Sequence, residues 1–482
     1  MGIRVHDSMT KKTVPLETRD EGRVAMYCCG PTVYNYIHIG NARTMLWFDF
    51  IRRYLAYRGY EVTYVMNYTD VDDRIIERAN LEKLPPDAIT SKYTAAFEKD
   101  MAGLGARPAD ILVRATDHID GMIETISSLI DKGSAYEADG NVWFSVESFD
   151  GYGKLSGRTL DDMRAGERIE PHPGKRHPLD FSLWKTAKEG EPSWESPWGL
   201  GRPGWHIECS VMSTKYLHMG FDIHGGATDL IFPHHENEIA QAEAAAGDEP
   251  FVRHWLHAGL VQMETEKMSK SLGNFVLAKD LLERQSGESL RYWALAGSYR
   301  AQPSFSEESL RDAAQAYDRW KTFHESARHL LTNDMPEADG ARERPVDHEI
   351  SSEKPEAFLS PFIEALDDDF NSAGAFAAVH EVVRNGNRSL EAAQRGDDAA
   401  RKELIGIVTA FVEMTTVLGF SFPSEVQDDE LVGGLVEYLI ELRELAREEK
   451  AFERADAIRD RLTELGVMIE DTPAGTRWRL GG

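Results

Sequence analysis

The first hydrophobic pattern along the chain predicts a strand, a turn, a helix and a second strand. The segment "GRVAMYCCG" is β-rich and precedes a Gly-Pro turn, and "ARTMLWFDFIRRYLAYRG" has apolar residues at helical spacing and stops at Gly59. The segment "YEVTYVMNYTD" is again β-rich. Such a unit predicts a parallel sheet with a ligand crevice at the carboxyl ends of its strands. We expect the turn that carries Cys29, Pro31 and His38 to lie at that crevice.

The middle of the chain has a different pattern. Asp139-Gly140 is a hairpin signal between two β-rich runs, and a stretch rich in proline, histidine and tryptophan extends from Pro171 to Pro203. This change of pattern predicts an insertion, at about residues 115–203, within a parallel-sheet domain that covers residues 1–310.

Beyond the insertion the pattern returns to that of the first domain. We expect sheet-like structure to resume in "GWHIECSVMS". In "FDIHGGATDLIFPHHENEIAQAEAAAG" the pattern predicts a helix from Glu236 to Ala246 that stops at Gly247.

The rest of the chain has mainly helical patterning, and its final segment adds a short β-like tail to two charged amphipathic helices. The predicted segments are a helical junction at 311–332, an acidic linker at 333–356, a helical bundle at 357–423 and a C-terminal unit at 424–482.

Length and composition are those of a folded protein with several domains. A chain of 482 residues, of which 41% are hydrophobic, predicts two to four domains with substantial cores. Three cysteines are too few for a disulfide framework, so we expect a reducing cytoplasm and a metal-binding or catalytic role. No apolar run reaches about 18 residues and the N-terminal segment has no apolar region, so we expect neither a membrane span nor secretion.

The net charge of −28 results from 82 acidic and 54 basic residues. It is explained either by a well-solvated surface or by adaptation to high internal salt, where excess carboxylates stay hydrated and their repulsion is screened. Charge alone argues against a nucleic-acid partner.

Two adjacent cysteines, Cys28 and Cys29, precede the Gly-Pro turn, and Cys209 lies far away in the sequence. Neighbours in a strand point to opposite faces, so only one of the pair can face the crevice, and we predict that this is Cys29. His234 and Glu238 are four residues apart on one helix face. Together with the two thiols they are plausible zinc ligands. The alternative is that each is a packing or capping residue.

Two short motifs have the composition of phosphate-binding segments. "HIGN" (His38–Asn41) lies at a loop-to-helix junction, where helix N-termini attract anions and Gly40 allows close approach to the backbone. "KMSKS" (Lys267–Ser271) offers two lysines and two hydroxyls that suit a triphosphate. The alternative for each is an ordinary solvated loop, but the pair in this order is a strong joint signal.

These two motifs resemble the signature sequences of class I aminoacyl-tRNA synthetases, and further segments resemble the cysteinyl-tRNA synthetase family over nearly the whole chain. These segments are "CGPTVYNYIHIGNAR", "YTDVDDRI", "DFSLWK", "RPGWHIECS", "DIHGGATDLIFPHHENEIAQ", "KMSKSLGN", "LDDDFN" and "EDTPAGTRWR". The chain departs from the family's usual pattern at Cys28, Asn41 and Phe452.

The resemblance implies an α/β fold with a Rossmann-like parallel-sheet catalytic domain, an inserted connective segment, a helical bundle and a small C-terminal anticodon-binding unit. It implies ATP-dependent activation of L-cysteine and transfer to the terminal adenosine of tRNA(Cys) by a monomer, with Mg²⁺ carried by ATP.

The resemblance also implies roles for individual residues, most of them polar or charged. Zinc would be bound by Cys29, Cys209, His234 and Glu238, and ATP by His38, Gly40, Asn41, Lys267, Ser269 and Lys270, of which His38, Lys267 and Lys270 act in catalysis. Trp205 and His224 flank the metal-ligand segments and are candidates for lining the amino-acid pocket, and the alternative for both is structural packing.

Two rival functions are also compatible with these motifs. The first is a cysteine ligase that joins cysteine to an amino-sugar, which would not need the roughly 125 residues that follow the predicted linker. The second is a non-catalytic paralogue, against which the intact metal-ligand candidates and "KMSKS" argue.

Overall fold

The computed structural model of the chain describes residues 2–160, 162, 172–247, 249–263, 276–336, 356–422, 426–465, 467–472 and 475–480. It divides into two compact units, Met1–Ser421 and Phe422–Gly482. No helix within these described ranges is long and apolar enough to cross a membrane.

The strands of the first unit form one parallel sheet and several smaller antiparallel or two-stranded sheets. In chain order they are β1 (Arg4–Asp7), β2 (Lys12–Pro15), β3 (Arg23–Cys28), β4 (Glu61–Tyr68), β5 (Ile111–Arg114), β6 (Ala135–Ala138), β7 (Asn141–Phe144), β8 (Phe181–Thr186), β9 (Gly201–Pro203), β10 (Phe221–Ala227), β11 (Val252–Ala258), β12 (Gln262–Met263) and β13 (Ser304–Phe305).

The α-helices of the first unit connect these strands, and the C-terminal part of this unit, as far as the structure describes it, is helical. In chain order they are α1 (Ile39–Tyr57), α2 (Asp73–Glu82), α3 (Pro86–Gly103), α4 (Ile119–Asp131), α5 (Trp205–Leu217), α6 (Glu236–Ala246), α7 (Ala278–Leu282), α8 (Gly287–Leu295), α9 (Glu307–Leu331), α10 (Leu359–Asp367), α11 (Ser372–Gln394) and α12 (Asp398–Val417).

The central sheet has five parallel strands in the order β11-β10-β3-β4-β5. At its middle, Cys28 of β3 pairs with Gly225 on one side and Met66 on the other. The apolar strand β3 is buried along most of its length, as expected for a parallel sheet that is covered on both faces. The predicted α/β class with a parallel sheet is confirmed.

Helix α1 packs against this sheet and is buried over most of its length. Its buried charges have partners: Arg43 donates to the carbonyls of Gly259 and Ser298, and Asp49 accepts from the guanidinium groups of Arg53 and Arg291. These contacts connect the first strand–helix–strand unit to segments that lie more than 200 residues away in the sequence.

The segment between β5 and β10 contains an antiparallel sheet in the order β6-β7-β8-β9. The predicted hairpin at Asp139-Gly140 joins β6 to β7, with φ of 54° and 74° at the two turn residues. Both angles are in the left-handed region that Asp-Gly turns favour. The domain boundaries proposed from the sequence stay predictions.

One expectation for this region is wrong. "GWHIECSVMS" was expected to be sheet-like, but it forms most of helix α5. Ile207, Cys209 and Val211 alternate with polar residues, which mimics a strand. Helix α5 is buried on several sides, including Glu208 and Ser210, so it has no polar face to show a helical period.

The second unit consists of α13 (Val426–Glu448), α14 (Phe452–Glu464), β14 (Val467–Thr472) and β15 (Gly475–Leu480). The two strands form an antiparallel hairpin, and Val436, Ile440, Leu462 and Val467 form a small core. The predicted two helices and β-like tail are confirmed.

Candidate active site

Cys29 directly follows β3, at the carboxyl edge of the parallel sheet. Its N–H donates to the Gly225 carbonyl at 3.1 Å, and its side chain belongs to the apolar cluster that contains Cys209. Cys28 is also fully buried, but its thiol interacts with Tyr64, and burial raises the pKa of that thiol. The two adjacent cysteines therefore face different partners, as strand alternation requires.

The four metal-ligand candidates from the sequence lie together. One ligand atom from each of Cys29, Cys209, His234 and Glu238 lies within 4.8 Å of every other, and all four residues are buried. The two sulfur atoms are 3.6 Å apart, Cys29 Sγ lies 3.5 Å from Glu238 Oε1, and His234 Nε2 lies 2.9 Å from the same oxygen. Four donors from three separate chain segments thus converge on one point.

Two further histidines surround the same carboxylate. His224 Nε2 lies 2.8 Å from Glu238 Oε2, and His235 Nε2 lies 3.9 Å from Oε1. Cys29, His224, His235 and Glu238 form a second group of four whose ligand atoms all lie within 4.8 Å of one another. Sequence reasoning missed His235, although the pair of histidines before α6 was visible in the sequence.

The chemistry of these donors fits a metal ion. Thiols, imidazoles and a carboxylate are the usual zinc ligands. His235 Nε2 is buried and has no hydrogen-bond partner among the described residues, and such an orphaned polar atom is costly unless something binds it. A possible metal site is therefore present, and its donors are consistent with zinc.

The charges within the cluster are strongly coupled. Burial would raise the pKa of Glu238, but His224 and His234 outweigh it and hold that pKa well below its usual range. Burial would lower the pKa of His234, but Glu238 and Cys209 raise it to about 10. A hydrogen bond from Cys29 lowers the pKa of Cys209 to about 6, which favours a thiolate there at neutral pH.

Aromatic and imidazole rings hold His234 in place. The Trp205 ring stacks on the His234 ring with centroids 4.2 Å apart, and His206 Nδ1 lies 2.9 Å from His234 Nδ1. Gln241 in turn donates to the His206 carbonyl. Partners of this kind orient a ligating imidazole, and no motif in the sequence had indicated His206 as one of them.

The two residues predicted to line the amino-acid pocket differ in exposure. Trp205 is half-buried and lines a cavity of about 940 Å³ together with Arg74, Phe232 and Asn237. His224 is fully buried behind Glu238. Trp205 thus lies between an open cavity and the His–Cys–Glu cluster.

The "HIGN" motif forms the N-terminus of α1. His38 is its N-cap: Nδ1 accepts from the Asn41 N–H at 3.2 Å, while Asn41 Oδ1 accepts from the His38 N–H at 3.4 Å. A neutral His38 ring therefore has its proton on Nε2, which makes that atom a donor. A Cβ on Gly40 would lie 3.0 Å from two atoms of this ring, so the small residue allows the ring its position. Lys267, Ser269 and Lys270 lie outside the described residues.

Comparison with known proteins agrees with this architecture. Residues 15–315 match the family described as tRNA synthetases class I (C) catalytic domain. Residues 361–423 match the DALR domain, and residues 434–479 match the cysteinyl-tRNA ligase anticodon binding domain.

Solved structures of several synthetases share the fold at low sequence identity. Mycobacterium tuberculosis methionyl-tRNA synthetase in complex with methionyl-adenylate aligns with a TM-score of 0.59 at 15% identity, over 82% of this chain and 90% of that one. The Agrobacterium radiobacter K84 agnB2 LeuRS–tRNA–LeuAMS complex aligns with a TM-score of 0.57 at 11% identity, over 84% and 85% of the two chains. Fold and catalytic-domain match together define a class I aminoacyl-tRNA synthetase.

Curated relatives narrow this class to one family. The cysteine–tRNA ligase of Desulfitobacterium hafniense is 45% identical over 488 residues and is matched over 100% of both chains. The cysteine–tRNA ligase of Brevibacillus brevis is 47% identical over 481 residues, 99% of this chain and 100% of the other. The chain belongs to the cysteine–tRNA ligase family.

Proposed function

We propose that the chain activates L-cysteine with ATP to form cysteinyl-adenylate and transfers the cysteinyl group to the terminal adenosine of tRNA(Cys). We further propose that Cys29, Cys209, His234 and Glu238 bind zinc, and that the substrate thiolate binds there. The observation that supports this most strongly is the convergence of these four buried donors within 4.8 Å at the carboxyl edge of the sheet.

The proposed site explains how serine is rejected. When bound, zinc would supply a soft Lewis acid that prefers a thiolate to a hydroxyl. A site built to bind one particular polar group of its substrate can reject an analogue that lacks this group by a factor of about 10⁴–10⁵, without a separate editing step. The chain's own contribution is to exclude water by burial and to fix the His234 ring between Trp205 and His206.

For ATP we propose two groups of side chains on opposite sides of the phosphates. His38, Gly40 and Asn41 would contact them from the N-terminus of α1, where the backbone dipole favours anions. Lys267, Ser269 and Lys270 would contact them from the other side. Attack by the cysteine carboxylate on the α-phosphate then needs positioning and charge stabilisation rather than a covalent enzyme intermediate.

Cysteine-dependent ATP–pyrophosphate exchange tests this proposal. We expect Lys270→Ala to depress exchange turnover much more than it weakens cysteine binding, because the lysine charge is needed chiefly in the transition state. Unchanged turnover with a raised cysteine requirement would instead assign Lys270 to ground-state binding. Serine at the same concentration should support almost no exchange.

The remaining expectations from the sequence stay predictions. They are a monomer, a cytoplasmic location and adaptation to salt.

A further inference from the structure

The first unit contains a cavity of about 330 Å³ that the proposed reaction does not use. Helices α1 and α3, strands β4 and β5 and the loop between α3 and β5 enclose it. For comparison, an engineered apolar cavity of about 150 Å³ holds benzene, and natural ligand pockets start at about 300 Å³. The space therefore suits a small organic molecule rather than a single water.

The cavity lies on the opposite face of the parallel sheet from the metal-ligand cluster. Its floor is formed by Tyr64, Met66 and Tyr68, which are alternate residues of β4 and share one face. Val65 lies on the other face, in the apolar cluster with Cys29 and Cys209. A molecule in this cavity would therefore not occupy the cysteine pocket.

The interior of the cavity is apolar. Besides the β4 residues it is lined by Met45, Phe97, Met101 and Leu112. Methionines adapt their shape to a guest, and aromatic edges contact sulfur and rings favourably. This lining favours a flat or compact apolar body.

The described residues that line the cavity include one cation, Arg107, and two carboxylates, Asp49 and Glu98. Arg107 is exposed and has no side-chain hydrogen bond among the residues that the structure describes. Partial burial and the neighbouring Arg53 lower the pKa of this guanidinium, Asp49 raises it, and Arg52 lowers it further. Asp49 also lines the cavity, but its carboxylate is already paired with Arg53 and Arg291.

The other charge at the cavity is Glu98, an exposed residue whose carboxylate accepts a hydrogen bond from the Tyr68 hydroxyl at 3.3 Å. Of the three charged residues that line the cavity, Arg107 alone has no side-chain hydrogen bond or ion pair among the described residues. We propose that this cavity binds a small apolar carboxylate, with its body among Met66, Phe97 and Met101 and its carboxylate at Arg107.

Equilibrium dialysis of the full chain with 2-naphthoate tests the proposal, and 2-naphthalenemethanol serves as the neutral probe of similar shape. We expect saturable binding of one naphthoate per chain that cysteine and ATP do not displace. Arg107→Gln should weaken naphthoate binding about fivefold and leave the alcohol nearly unaffected, since a partly exposed ion pair contributes about that much. Glu98→Gln should strengthen naphthoate binding.

A matched pair of surface variants locates the site. Leu112 is 39% exposed at the cavity and Leu200 is 59% exposed in the inserted segment. Leu112→Glu should abolish naphthoate binding, while Leu200→Glu should bind as the unaltered chain does. The proposal is overturned by an absence of saturable binding, by displacement of naphthoate with cysteine, or by equal binding to both leucine variants. Because cysteine-dependent exchange is measured separately, its failure would refute the proposed function and leave this binding result unaffected.

Discussion

The sulfur atoms of Cys29 and Cys209 lie 3.6 Å apart, although 180 residues separate the two cysteines in the sequence. Cys29 is placed by the carboxyl end of β3 and Cys209 by helix α5. Cys28, the immediate neighbour of Cys29, interacts instead with Tyr64. The backbone alternation of one strand thus decides which of two adjacent thiols can join the cluster.

This arrangement predicts opposite results for the two adjacent cysteines. Cys28→Ser should retain zinc, because its thiol lies on the other face of the strand. Cys29→Ser should lose zinc or lower its affinity severely, because a hydroxyl is a poor replacement for a thiolate ligand. Zinc per chain, measured by inductively coupled plasma mass spectrometry, checks both variants. Full zinc content and activity in Cys29→Ser would exclude it as a ligand.

Gly30 is predicted to be required for the turn that follows Cys29. A Cβ at Gly30 would lie 1.8 Å from the Asn67 carbonyl oxygen, so Gly30→Ala must displace either the turn or β4. We expect a loss of about 2 kcal/mol or more in the free energy of unfolding, and a raised KM for cysteine. Gly297→Ala is the matched control, since its Cβ would meet nothing within 4 Å. Urea unfolding measures the stability of both variants, and equal stability of Gly30→Ala and Gly297→Ala would contradict the predicted clash.

Asp100 is predicted to make stability depend on pH. It is 5% exposed, its Oδ2 has no hydrogen-bond partner among the described residues, and burial raises its pKa to about 6. As the pH rises, the unfolded state loses this proton at a pKa of about 3.9, whereas the folded state keeps it up to about pH 6. The contribution of this group to stability is consequently greatest below about pH 4 and is lost as the pH rises to about 6.

Asp100→Asn removes this ionisation. We expect the free energy of unfolding to rise by about 1–3 kcal/mol at pH 7.5 and to change little below pH 4. Asp150→Asn, at an exposed turn, is the control and should show no such pH-dependent difference. Stabilisation of Asp100→Asn that is the same at both pH values would show that the ionisation is not responsible.

The acidic composition predicts an unusual response to salt. An enzyme of net charge −28 must bind a polyanion, and long-range repulsion should oppose that encounter at low salt. At about 1 M salt the Debye length falls to roughly 3 Å, so distant carboxylates contribute little while local contacts to phosphate persist in part. We expect charging activity to be maintained or raised as KCl approaches molar concentration. A steady loss of activity from about 50 mM upward would refute salt adaptation but not the enzymatic assignment.

Local sequence patterns were sufficient to predict those elements whose own residues favour the conformation that they adopt. The helix that stops at Gly247 and the hairpin at Asp139-Gly140 follow from residues that favour those conformations on their own. Helix α5 was missed because it is buried on several sides and its sequence alternates like that of a strand. A short stretch of sequence does not show which of its residues will be buried by segments that are distant in the chain.

The same limit applies to the site. The i, i+4 spacing of His234 and Glu238 predicted that the two side chains share a face, and they lie 2.9 Å apart. His235 lies three residues before Glu238, a spacing that also allows contact on one helix face, and this signal was overlooked. The position of His206 depends on how α5 packs beside α6, so no local spacing could predict it. Cys209 was placed in the cluster by its chemistry, and its approach to Cys29 was established by the tertiary structure alone.

The substrate thiol is proposed to bind at the cluster of Cys29, Cys209, His234 and Glu238. The most direct test of this binding is the visible absorption spectrum of the cobalt-substituted protein, titrated with cysteine and, in parallel, with serine. A new thiolate ligand should add sulfur-to-cobalt charge-transfer intensity that saturates with cysteine, and serine should leave the spectrum unchanged. Identical spectra with both amino acids, in a protein that activates only cysteine, would exclude this cluster as the binding site of the substrate thiol.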